Sequence, residues 1–89
     1  MVRSDIPLSE RLEDLRSVAT VRQLVKEGRI RQIREDGGAT QAAIAEVVGC
    51  TPSAISQYEA GLRMPSGDRA RRLAAALAAL PRGVGSRPP

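Results

Sequence analysis

Two helix-start signals stand close together in the middle of the chain, with a glycine between them. Thr40-Gln41 opens one short apolar run, Thr51-Pro52 opens the next, and Gly49 lies just before the second. A threonine hydroxyl satisfies a free N–H in a helix's first turn, and proline is best tolerated at the first helical position. Glycine enters the left-handed conformation that ends a helix without strain. The spacing predicts helices over 41–48 and 52–60, joined by a tight turn at Gly49-Cys50.

The flanking segments carry helical periodicity as well. Leu8, Leu12, Leu15 and Ala19 recur every three or four residues, with Val18 adjoining and charged residues on the remaining faces. This predicts an amphipathic helix over 8–25, continuing through Val21, Leu24 and Val25, unless Thr20 and Gln23 cap a second start. Gly28 marks its break. A short helix follows over 29–35 with Ile30 and Ile33 inward, stopped by Asp36-Gly37-Gly38. Ile44, Val47 and Val48 are the expected apolar face of the next helix. The last helix, capped by Ser66 or Asp68, runs to Leu80 with Leu73, Leu77 and Leu80 on one face; Pro81 ends it. No segment alternates apolar and polar residues over a strand's length.

Composition narrows the chemistry. The 89 residues hold one aromatic, Tyr58, so the core must be built from aliphatic side chains and alanine. One cysteine and no histidine exclude an internal disulfide and a zinc-type ligand set. No catalytic constellation is evident, and neither enzyme activity nor a cofactor or metal is expected. No apolar run reaches the ~18 residues of a membrane span, and Met1 to Pro7 lacks the apolar stretch of a secretory signal. A cytoplasmic setting fits. The net charge of +4 is unevenly spread: residues 1–59 sum to −1 and residues 60–89 to +5. A basic end on a balanced body suits a polyanionic partner, although arginines that only aid solubility would give the same pattern.

Three demands of two helices crossing at a tight turn are met together around Gly49. Ala45 is small enough for the crossing, Gly49 tolerates positive φ at the turn, and Ile55 and Tyr58 seat the second helix on a core. The stretch from Thr40-Gln41-Ala42-Ala43-Ile44-Ala45-Glu46, through Val48-Gly49, to Thr51-Pro52-Ser53-Ala54-Ile55-Ser56-Gln57-Tyr58-Glu59-Ala60-Gly61-Leu62-Arg63-Met64-Pro65-Ser66 resembles the signature of the XRE (phage Cro and repressor-like) helix-turn-helix family. With Ile33-Arg34-Glu35 and the final Leu-rich helix, the resemblance covers residues 29–80. Cys50 stands where a β-branched residue is common, and Gly67-Asp68 shortens the usual apolar start of the last helix.

The resemblance implies an all-α, compact five-helix helix-turn-helix domain, lambda-repressor-like, with an extra N-terminal helix. It divides the chain into an N-terminal amphipathic helix over 1–28, the helix-turn-helix domain over 29–80, and a disordered tail over 81–89. It further implies that helix 52–60 lies in the major groove of double-stranded DNA, with Thr51, Pro52, Ser53, Ala54, Ser56 and Gln57 at base edges. Gln57 is the best base reader, since its amide can pair with both N6 and N7 of adenine. Ser53 can donate or accept, and Ala54 and the Thr51 methyl suit a thymine methyl. Gln41, at a helix N-terminus, is expected on a phosphate, as are Arg63 and, more weakly, Ser66. Thr40 either assists there or is purely a cap. Arg69, Arg71 and Arg72 add a general positive field. Arg34 and Glu59 are implied to be a structural ion pair.

The function so implied is a sequence-specific transcriptional regulator: a phage- or Cro-like repressor acting as a homodimer on a palindromic operator, at the nucleoid of a bacterial or phage-infected cell. The alternative is an antitoxin-type or other protein-binding module that keeps the fold. Helix 8–25 lies outside the resemblance, and its Leu face either packs on the domain's own core or pairs with a second copy, the latter being favoured by the need for two half-sites.

Overall fold

A computed structural model describes residues 8–65 and 67–81. Five helices follow one another: α1 (Leu8–Glu27), α2 (Ile30–Asp36), α3 (Gln41–Val48), α4 (Pro52–Glu59) and α5 (Gly67–Ala79), and the described residues contain no strand. The expected tail over 81–89, apart from Pro81, lies outside the described residues, as does Ser66.

The core is aliphatic, with one ring at its centre. Tyr58, Ile30, Ile55, Leu73, Val21 and Val48 are its largest fully buried side chains, and Ala45, Ala54 and Ala70 fill the close approaches between helices. α5 touches every neighbour that matters, packing against α1, α2 and α3, while α3 and α4 pack on each other. Tyr58 and Leu73 therefore meet the demand of a chain with little bulk to spend: one large residue and several leucines are shared by several helices.

The N-terminal helix meets the core through a face other than its Leu stripe. α1 is continuous, with no second start at Thr20, and it docks on α5 through Val21 and Val25, with Val18 and Leu24 partly buried beside them. Leu8, Leu12 and Leu15 instead stay 64, 44 and 66% exposed. At about 100° per residue, the Leu8-Leu12-Leu15-Ala19 stripe stands roughly 115° around the helix from the Val18-Val21-Val25 stripe. Both stripes have helical periodicity, and only the docking of α5 chooses between them. In α3 the buried face is Ile44, Ala45 and Val48; Val47 points outward at 66% exposure.

The breaks between helices have separate causes. Gly28 (φ 67) and Gly38 (φ 74) adopt the left-handed conformation expected of a helix stop. Gly37 does not, with φ −84. It is glycine for space: a β-carbon there would sit 2.7 Å from Cβ of Leu80. Leu80 folds over the end of α2, and Gly37 lets it approach.

Candidate nucleic-acid interface

Three local devices fix the α3–α4 corner. Thr40, extended at φ −85 and ψ 162, accepts a hydrogen bond through its hydroxyl from the Ala43 N–H at 3.0 Å, which starts α3. Thr51 does the same for α4 with Ala54 N–H at 3.1 Å, with Pro52 next in line. Between them Gly49 sits at φ 86, and the N–H groups of both Gly49 and Cys50 donate to the Ala45 carbonyl, at 2.8 and 2.9 Å. Capping both ends this tightly turns the chain within three residues and leaves Ala45 at the crossing, 1% exposed.

α4 is then two-sided. Ala54, Ile55 and Tyr58 enter the core. Ser53, Ser56 and Ala60 are exposed and Gln57 is half-buried, at the i, i+3, i+4, i+7 spacing of a single helix face, with Thr51 and Pro52 exposed at its start. Ala54 departs from its expected role at a thymine methyl. It is 4% exposed because it follows the cap by three residues and turns toward α3, so its methyl belongs to the core. The outer face carries no charge of its own, only hydroxyls, an amide and methyl groups.

An arginine reaches that face from the following loop. Gly61 (φ 75) reverses the chain after α4, and the Leu62 N–H closes the turn on the Gln57 carbonyl at 2.9 Å. This brings Arg63 back alongside the helix, where its Nη1 donates to Oε1 of Gln57 at 3.2 Å. With its acceptor oxygen held, Gln57 keeps its amide N–H groups for another partner. Arg63, Arg69 and Arg72 wall an open cleft beside Gly49 and Tyr58, and Asp68, also in its wall, pairs with Arg72 at 2.9 Å. The Tyr58 hydroxyl accepts from Arg69 at 3.5 Å, and this bond raises the Arg69 guanidinium above its ordinary pKa. Arg72 donates to the Val48 carbonyl at 3.5 Å, near the C-terminal end of α3, where a cation meets the negative end of the helix dipole. Arg71 bonds Asp68 as well and reaches Asp14 of α1 at 3.4 Å.

Behind the outer face, one buried carboxylate joins three segments. Glu59 accepts from Nε and Nη2 of Arg34 at 2.5 and 3.2 Å, while Nη1 of Arg34 reaches the Ala39 carbonyl at 2.9 Å. The two side chains are 11 and 6% exposed. Gln41, expected on a phosphate, spends its amide on the same carboxylate, with Nε2 to Oε1 of Glu59 at 3.0 Å. Half-buried and so engaged, it ties the start of α3 to the end of α4. The buried arginine, the helix-initiating glutamine and the glutamate thus form one network that holds α2, α3 and α4 in register. Neither the Gln41 contact nor the Arg63 contact could be read from spacing, because each joins residues that the chain brings together only by folding back.

A helix-turn-helix family model matches residues 30–81, which span α2 to α5 and all the residues of this site. No curated protein and no solved structure matches the chain.

Proposed function

The chain belongs to the XRE-type helix-turn-helix family, whose members are DNA-binding transcription regulators rather than enzymes, and on that premise we propose that α4 reads the major groove of an operator. The observation that carries this is the composition of the outer face of α4: Ser53, Ser56 and Gln57, polar and without charge, on a rod whose other side is locked into the core. Such a face can approach base edges without bringing an anion near the phosphates. Gln57 is the main base reader, donating from the amide that Arg63 leaves available. Ser53 and Ser56 add contacts, and Thr51 and Pro52 pack at the groove edge.

Arg63 contacts the backbone beside Gln57, and Arg69 and Arg72 supply the positive field next to it. Thr40 offers its hydroxyl proton to a phosphate while its oxygen caps α3. Gln41 acts through the Glu59 network, leaving its second amide N–H and the α3 N-terminus for the phosphate backbone. Ser66 retains its weaker phosphate role. The regulator acts as a repressor, by occupying its site at the nucleoid. An α4 of eight residues covers few base pairs, so two copies occupy a palindrome with half-sites about 10 bp apart or a multiple of that, which keeps both recognition helices on one face of the duplex.

Selection from random double-stranded oligonucleotides tests the proposal. Recovery of a palindromic consensus is the expected result. Failure to enrich any sequence, or an unchanged consensus after Gln57→Ala, overturns the recognition role of α4.

A further inference from the structure

The outer face of α1 has no partner within the described chain. Leu8, Leu12, Leu15 and Ala19 follow i, i+4, i+7, i+11, the spacing of a coiled-coil seam, and all four are exposed. By register, the cations bordering and continuing that seam are Arg11, Arg16, Arg22 and Lys26, alongside the uncharged Ser9, Val18 and Gln23, and Arg16 also lines the cleft toward α5. All four cations are exposed, and none has an ion-pair partner among the described residues. Of the helix's described acids, Asp14 meets Arg71 of α5 at 3.4 Å, Glu13 lines the α5 side with Arg16, Ala74, Ala75 and Ala78, and Glu27 is held by Gln23 and Arg29. The seam is apolar and its borders are cationic.

We propose that this face docks an acidic amphipathic helix of another protein, one whose apolar seam is flanked by Asp and Glu. Charges beside a helix seam select the partner. A second copy of this chain is a poor fit: in parallel or antiparallel pairing, arginine faces arginine or lysine. The chain's own residues 82–89 carry Arg82 and Arg87 and no acid, so they are no better. An anionic lipid surface favours a broad apolar face with aromatic anchors, whereas this seam is narrow and α1 contains no aromatic residue. An acidic helix matches both the apolar spacing and the charge. The inference is independent of the DNA-reading proposal and involves none of its residues. Two copies on an operator would meet through a different surface.

Fluorescence anisotropy of the full chain tests it with two synthetic peptides of about three heptads, each with leucine at the seam and either Glu or Lys beside it. The Glu peptide is expected to bind at least about tenfold more tightly than the Lys peptide. Leu12→Gln with Leu15→Gln should abolish the difference. Both residues are outside the core, so circular dichroism should be unchanged. Arg11→Glu with Arg22→Glu should transfer the preference to the Lys peptide. Equal affinity for the two peptides overturns the proposal. So does a protein that sediments as a dimer and becomes monomeric on the Leu12/Leu15 substitution, or one that binds vesicles of one-quarter anionic lipid while ignoring the Glu peptide. None of these readouts uses DNA, so the outcome leaves the operator proposal untouched in either direction.

Discussion

Glu59 is the residue on which the recognition corner rests. Its carboxylate collects hydrogen bonds from Arg34 and Gln41 while 6% of the side chain remains in contact with solvent. Glu59→Ala strands a buried guanidinium, and we expect a loss of about 3–5 kcal/mol in urea unfolding, the cost of breaking one side of a buried pair. Replacing Arg34 and Glu59 together by apolar residues should cost less than Glu59→Ala alone, because no charge is left unpaired. On the outer face, the Arg63–Gln57 bond makes the two residues one unit. Gln57→Ala should cost about 1–3 kcal/mol of specific binding. A double-mutant cycle with Arg63→Ala should show a coupling of about 0.5–3 kcal/mol. Additive losses within a few tenths of a kcal/mol would mean that Arg63 does not position Gln57. That Arg34 pairs with Glu59, and that Gln57 lies on the outer face of α4, was legible from the motif. That Gln41 serves Glu59, and that Ala54 is buried, was not, because both depend on how far α4 rotates as it seats on Tyr58 and Ile55.

Helix by helix, the chain's punctuation was its clearest signal. Thr40, Thr51-Pro52 and Gly49 act through bonds to residues three or four positions away, so they are readable from sequence alone. Gly37 shows the limit of that kind of reading. It looks like a helix stop, yet its φ is ordinary and its function is to admit Leu80, the residue just past the end of α5. The two glycines should therefore fail differently. Gly49→Ala forces an alanine into the left-handed region at about 1–2 kcal/mol, and it sets the new methyl 3.0 Å from the Arg72 guanidinium. Gly37→Ala overpacks against Leu80 at about 1–3 kcal/mol. The companion change Leu80→Gly, which removes the clashing β-carbon, should lower the cost of Gly37→Ala in thermal melts and leave that of Gly49→Ala unrelieved. Rescue of both, or of neither, would contradict this division.

For the molecule as a whole, α1 is part of the core rather than an appendage, since Val21 and Val25 are 0 and 6% exposed in the same cluster as Leu73. A fragment beginning at Arg29 loses both, at about 1.5–3 kcal/mol each, out of a total that is typically about 5–15 kcal/mol for a domain. Its unfolding midpoint in urea should fall sharply, and an unchanged midpoint would show that α1 does not share the core. Acid should act at the start of α5. Asp68, hydrogen-bonded by Arg71 and near the charges of Arg72 and Arg71, has its carboxyl held below the usual range. A depressed folded-state pKa contributes stability above the unfolded value and loses it as pH falls through the folded one. Melting temperatures of the wild type and Asp68→Asn should therefore differ at pH 7 and converge as pH falls through the depressed folded-state pKa, below the ordinary aspartate value of about 3.9. Parallel curves throughout would show that this carboxylate adds no pH dependence.

Sequence alone determined the helical class, the start of each middle helix, and the family to which residues 30–81 belong. These follow from caps, glycines and periodicities that operate within one or two turns of chain. Tertiary structure decided which of the two apolar stripes on α1 became core, how Glu59 gathered Arg34 and Gln41, and which side of α4 was left to solvent. Each of those outcomes depends on contacts between residues far apart in sequence. A stripe's spacing shows that it can be buried; the surface presented by another helix determines whether it is.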